Sequence, residues 1–152
     1  MRALMASTLV IAACGPAAFG EIDGHTLGEV GSAVAAYHQD GRGMYIVSDQ
    51  PDLCDVFDLN PSDPAEGDYW VVSVTTLEAA ERGLKHEAVG FAGVSEGGIV
   101  SEYVADEAYV TVRSQDEEVA AGFIQVFFGD DRIQGSINAE LCGTSALFIG
   151  SE

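Results

Sequence analysis

VAAGFIQVFFGDDRIQGSINAELC, residues Val119 to Cys142, is the stretch whose reading decides the fold. Taken two residues at a time, its second half puts Ile133, Gly135, Ile137, Ala139 and Leu141 on one face. Gln134, Ser136, Asn138 and Glu140 fall on the other, the alternation of a strand with one buried and one wet face. Gly122 to Phe128 is apolar on nearly both faces, which predicts a strand covered on both sides. Between the two, Gly129-Asp130-Asp131 supplies residues that tolerate the φ > 0 conformations of a hairpin turn. The hairpin ends on a cysteine able to pin it to the rest of the fold.

Working back from the hairpin, strands are predicted over Tyr109–Arg113, Gly98–Val104 and His86–Gly93. Short polar separators lie between them, Ser95-Glu-Gly-Gly and Asp106-Glu among them. Asp68–Thr75 and Met44–Ser48 are aromatic and β-branched enough to be strands. Ile22 to Thr26 reads as the start of an edge strand running toward Ala33–His38. Gln50 to Phe57 predicts a helical turn or two with Cys54 facing inward, proline being favoured at a first helical position. Thr75-Thr-Leu-Glu78 has the form of a capping box, with Gly83 as a stop, so Thr76–Arg82 is expected to be a short helix. The sum is an all-β domain: an antiparallel β-sandwich or barrel with at most one or two short helices and one disulfide.

The chain has 25 acidic residues against 6 basic ones, a formal charge of −19. Nucleic acid as a partner is excluded by sign, because phosphate contacts come from Lys and Arg. An anionic lipid surface repels the domain for the same reason. At 152 residues the chain is long enough for one domain with a substantial core.

Residues 1–13 carry one early cation, Arg2, then an apolar run too short to span a bilayer and suited to an export signal. Ile11-Ala12-Ala13-Cys14 resembles the lipobox of bacterial lipoproteins. The resemblance implies cleavage before Cys14, acylation of its thiol and new amino terminus, and firm membrane anchoring through several chains. Gly15 rather than Asp after the cysteine implies, by the same analogy, the outer membrane. The expected layout is signal peptide 1–13, lipidated cysteine and tether 14–21, and a single β-rich domain 22–152. With Cys14 assigned to lipid, Cys54 and Cys142 remain in an oxidising compartment and are expected to pair. The loop so closed spans 88 residues. A metal or catalytic pair is the alternative, and no neighbouring histidine supports it.

The residues Gly122-Phe123, Gly129-Asp130 and Gly135-Ser136 through Ala139 to Cys142 are similar to the closing strands of small, uncharacterised β-rich bacterial lipoproteins. Their last strand reads roughly Gly-Ser-Phe-x-Ala-x-x-Cys. Ile137 stands here where that pattern has an aromatic, and Ala108 where a glycine is common. The resemblance implies an architecture and brings no activity.

Catalytic patterns fail on inspection. Gly93-Val-Ser95-Glu-Gly97 matches the nucleophile-elbow pattern, yet strand-like Gly98-Ile-Val100 follows it, and His25, His38 and His86 all precede Ser95. A Gly-rich hairpin turn explains the same residues. Asp58-Leu-Asn60-Pro-Ser62-Asp63 begins with calcium-loop spacing and then lacks the required glycine and bidentate glutamate. An irregular cation site would draw on Asp55, Asp58, Asp63, Glu66 or Asp68; a solvated acidic loop is the plainer account. Tyr69, Trp70, Phe91 and Tyr103 either line a ligand face, as exposed aromatics do on carbohydrate platforms, or serve as core and cross-strand partners. No cofactor is called for. The expectation is a non-catalytic envelope module with a binding or structural role, its partners the membrane through acylated Cys14 and an envelope protein or glycan. Two alternatives stand beside it: an inhibitor of a basic envelope hydrolase, and a cation-stabilised adhesin-like module.

Overall fold

A computed structural model describes residues 17–54, 67–116 and 118–142. The lipobox with Cys14, and the loop carrying Asp55, Asp58, Asp63 and Glu66, lie outside the described residues. Ten strands follow in order: β1 Ala17–Ile22, β2 His25–Thr26, β3 Ser32–Tyr37, β4 Arg42–Ser48, β5 Tyr69–Ala79, β6 Lys85–Glu96, β7 Ile99–Val104, β8 Glu107–Gln115, β9 Val119–Phe128 and β10 Asp131–Leu141.

Seven of them, β3-β4-β5-β6-β8-β9-β10, close into a barrel. Of the two architectures the alternation allowed, closure is the one adopted. Every seam is antiparallel except the last, where β3 lies parallel to β10 through only two residue pairs, Val34–Glu140 and Ala35–Leu141. Inward side chains fill the barrel in layers. Val72, Val74, Val110, Val112, Ile124, Val126 and Ile133 are essentially inaccessible to water, as expected where a small barrel's interior is just wide enough for its own side chains.

The β9–β10 hairpin has the predicted register. Ile133, Ile137 and Ala139 are buried and pair with the Val119–Phe128 strand across a Gly129-Asp130 turn. The first of its strands differs from expectation. β9 alternates buried and half-buried residues, with Ala120, Gly122, Ile124 and Val126 inside. Phe123 and Phe127 lie on the outer wall of a single-layered barrel, where Phe127 meets Tyr109 edge-on at 6.3 Å.

Two ends need stoppers. At one, the β1–β2 hairpin crosses from β10 to the β6–β7 side, and its Ile22 and Leu27 enter the core. The hairpin is tied down by Asp23 N donating to Asp131 Oδ2 (2.8 Å), Tyr103 Oη donating to Asp23 Oδ2 (3.1 Å), and His25 Nδ1 beside Glu96 Oε1 (3.0 Å). This corrects two expectations. Ala17–Glu21 is not a tether but most of strand β1, because β10 offers its residues an edge to pair with. The strand expected from Ile22 onward instead reverses at Asp23-Gly24, both at positive φ. At the other end Tyr45 and Tyr37 meet edge to face, their hydroxyls 3.2 Å apart.

The helix expected over Thr76–Arg82 is absent. β5 runs on to Ala79, and Thr76 pairs with Ala88. Buried Thr76 donates its hydroxyl to the Glu78 carbonyl and accepts from Gly43 N, so tertiary partners displace the local capping box. The helical turn near Cys54 is present in its described part, at Leu53 and Cys54. Leu53 packs on the outside of β3 and β4 against Val34 and Ile46, and Cys54 is disulfide-bonded to Cys142.

The β8–β9 turn is held by one carboxylate. Asp116 Oδ1 accepts from Glu118 N and Val119 N, both at 2.8 Å. These two donors, Glu118 first, hold the Asp116 carboxyl below its ordinary range. A depressed carboxylate adds stability above its unfolded value, near pH ~4, and loses it as pH falls through the folded value. Asp116→Asn is therefore expected to be less stable than wild type at pH 7, the gap closing below about pH 4. Urea titrations at both pH values check this.

Candidate functional site: an apolar groove on the outer wall

The outer wall is polar over much of its surface, but one region departs from that. Antiparallel pairing sets Ser73 beside Phe91 and Phe91 beside Val104, and one step away sets Val71 beside Gly93 and Gly93 beside Glu102. Outward positions in adjacent strands thus build one continuous surface. Phe91 is half exposed and Val104 is 68% exposed, with Val89 and Val100 also open to solvent. Gly93 makes the surface concave: Val71 Cγ1 lies only 3.3 Å from the place a Cβ on residue 93 would occupy. The result is a groove of about 430 Å³ lined by Val71, Ser73, Phe91, Gly93, Glu102 and Val104. Val71 also packs against the covered cluster at the disulfide, so the apolar surface begins under that turn and continues uncovered over β6 and β7.

β7 borders this groove and, among the described residues, pairs only with β6. The β6–β7 hairpin closes through Gly97-Gly98, both at positive φ, as a two-residue turn of this hand requires. Ala105 N donates to Gly90 O (2.9 Å), which fixes the phase of the ladder. Alternation then makes Ile99, Ser101 and Tyr103 bond to β6, while the N–H and C=O groups of Val100, Glu102 and Val104 point away from it. β7 therefore presents three pairs of main-chain groups along an edge whose sole charge is Glu102. Natural sheets usually blunt such an edge with lysine, proline or a bulge; here none is present. On the other side of β7, Tyr103 donates to Asp23. Partial desolvation and, next, this hydrogen bond push its phenol above the ordinary value.

A second recess of about 230 Å³ lies beneath β2, lined by His25, Asp49, Asp68, Trp70, Ser95 and Glu96 among others. Its carboxylates have structural partners. Asp49 Oδ1 accepts from Trp70 N (3.1 Å), Asp68 Oδ1 from Gly97 N (2.8 Å), and Glu96 faces His25. Among the described residues no three His, Cys, Asp or Glu side chains converge as a metal site. Of the cation ligands considered from sequence, Asp68 alone is described, and it caps the β6–β7 turn. Ser95 is buried in that hairpin, and its hydroxyl donates to Gly67 O at 3.4 Å. The Gly-x-Ser-x-Gly match is thus a strand and its turn, without the following helix of a nucleophile elbow.

The four aromatics proposed as a ligand face do not share one. Largely buried Trp70 and half-buried Tyr69 border the recess beneath β2, while Phe91 and Tyr103 border the outer groove, the Tyr103 hydroxyl being held by Asp23 of the β1–β2 hairpin. Val104 and the β7 edge have no motif in the sequence, and Gly93 stood out only as part of the Gly-x-Ser-x-Gly match; their proximity comes from register. The signal available in the sequence was the set of apolar residues Ile99, Val100 and Val104 about a single charge, Glu102, beside a two-glycine turn. No family model, curated protein or solved structure matches the chain.

Proposed function

We propose that this chain is a lipid-anchored, non-catalytic module of the bacterial cell envelope that holds a partner on the exposed apolar face of β5, β6 and β7. The observation that carries this reading is the groove over Gly93, flanked by Phe91 and Val104, in a chain otherwise strongly acidic. A contiguous exposed apolar patch on a well-packed domain marks an interaction site more often than a scatter of single side chains does. Ile11-Ala12-Ala13-Cys14 supports the anchor, and the Cys54–Cys142 disulfide supports an oxidising compartment. The acidic balance favours a basic partner. An envelope hydrolase inhibited by docking is the narrower form of the same reading.

Two variants of the full chain test it, expressed in a bacterial host and read by fractionation and native electrophoresis of gently solubilised membranes. Cys14→Ser is expected to move the protein from the membrane to the soluble fraction. Phe91→Asp is expected to stay in the membrane and keep its thermal stability while the protein's native complex shrinks to the monomer. Membrane retention of Cys14→Ser, or an unchanged complex with Phe91→Asp, contradicts the reading.

A further inference from the structure

We infer that the edge of β7 left unpaired among the described residues binds an extended segment of a basic partner protein by strand addition, with a Lys or Arg of that segment set opposite Glu102. This rests on the proposed binding role of the β5–β6–β7 face and names its mode and partner chemistry. Three observations carry it: the outward main-chain groups of Val100, Glu102 and Val104, the exposure of the apolar side chains flanking Glu102, and the charge of the chain. An added strand takes its affinity from main-chain hydrogen bonds and its specificity from alternate side chains. Here the alternate positions of β7 are Val100, Glu102 and Val104. Their complement is apolar–x–cation–x–apolar.

Charge selects among the occupants. A second copy pairing antiparallel about the centre of β7 sets Glu102 directly against its own equivalent, a like-charge pair that destabilises a sheet. It also brings together two chains each of formal charge −19. Residues Gly143 to Glu152 of the same chain contain an apolar run, Ala146 to Ile149, but no cation to meet Glu102. A basic segment from another protein satisfies both the apolar positions and the carboxylate. Strand addition then covers the edge of β7 that no described strand pairs with.

The probe is a synthetic peptide, acetyl-Thr-Val-Thr-Lys-Thr-Val-Thr-amide, whose symmetry presents valine, lysine, valine to β7 in either strand direction. It is titrated against the full lipidated chain in detergent micelles, with amide hydrogen exchange as readout. Saturable binding is expected below about 1 mM, slowing exchange at Val100, Glu102 and Val104. A glutamate-centred peptide is expected to bind at least tenfold more weakly, and Glu102→Lys to reverse that preference. Val104→Pro, which removes an outward N–H from an edge strand that tolerates proline, is expected to abolish binding.

Equal affinity for the two peptides, protection on another strand, or no binding below about 1 mM overturns the inference. So does prior protection of the three amides in the absence of peptide, whether it rises with protein concentration (a second copy) or disappears on removing residues 143–152 (the chain's own tail). Should Val104→Pro fail to fold, the Glu102→Lys reversal decides alone. A native complex that still depends on Phe91 while the peptides fail refutes strand addition and leaves the binding role standing.

Discussion

Replacing Cys54 and Cys142 together by alanine is expected to lower the folding stability by about 3 to 4 kcal/mol. The bond closes 88 residues, and a loop of that order is worth roughly 4 to 5 kcal/mol in chain entropy before losses. Its position adds a structural reason. The barrel is sealed between β3 and β10 by two residue pairs only, and Cys142 directly follows the second of them. Through Cys54 the end of β10 is bonded to the turn whose Leu53 packs on Val34 and Ile46, just outside that seam. Cutting the bond loosens the shortest contact in the barrel. Thermal denaturation is expected to show the loss as a fall in melting temperature of about 10 °C. Amide exchange is expected to accelerate first at Val34, Ala35 and Leu141. Uniform acceleration over all strands would mean that the disulfide acts on the unfolded chain alone.

Tyr45→Ala is expected to cost about 3 to 5 kcal/mol, and Tyr45→Phe only about 0.5 to 1.5 kcal/mol. Tyr45 is 1% exposed and stops one end of the barrel. Its ring lies edge-on to Tyr37, and Gly43 leaves the space it needs: a Cβ there would sit 2.6 Å from the Tyr45 hydroxyl. Truncation to alanine opens a cavity bounded by strands that the ladder prevents from collapsing. Phenylalanine keeps the ring and loses one hydroxyl contact. Burial first, then the hydrogen bond and charge of Tyr37, push the Tyr45 phenol far above its ordinary value. A raised phenol adds stability below its unfolded value and loses it as pH rises through and beyond about 10. Wild type is accordingly expected to weaken at strongly alkaline pH more than Tyr45→Phe does. Urea midpoints of the three proteins at neutral and alkaline pH measure both statements.

Strands were legible wherever one face had to be dry. Ile133, Ile137 and Ala139 declare their face by period alone, and the Gly129-Asp130 turn fixes their partner. Closure was not legible, because it depends on β3 meeting β10 across more than a hundred residues of sequence. Thr76 was misread for a related reason. Thr75 three residues before Glu78 signals a helix start locally, and only Gly43 and Ala88, distant in sequence, hold the following Thr76 as strand. Ala17 to Glu21 is short and shows no period-two alternation, and nothing local announces that β10 will pair with it. Phe123 and Phe127 suggested a second covering layer, whereas a barrel's outer wall leaves them half-buried. The candidate site was the least legible part. Phe91, Gly93 and Val104 mean little singly, and the groove exists because register sets them side by side.

The most direct measurement of the central claim is photo-crosslinking in intact cells with a photoreactive residue at position 104, beside the groove, or at the exposed position 113 on β8. The account predicts a discrete adduct from position 104, lost when Phe91 is also replaced by Asp, and none from position 113. Absence of any adduct at 104, or the same adducts from both positions, would contradict the claim that this face holds the protein's partner.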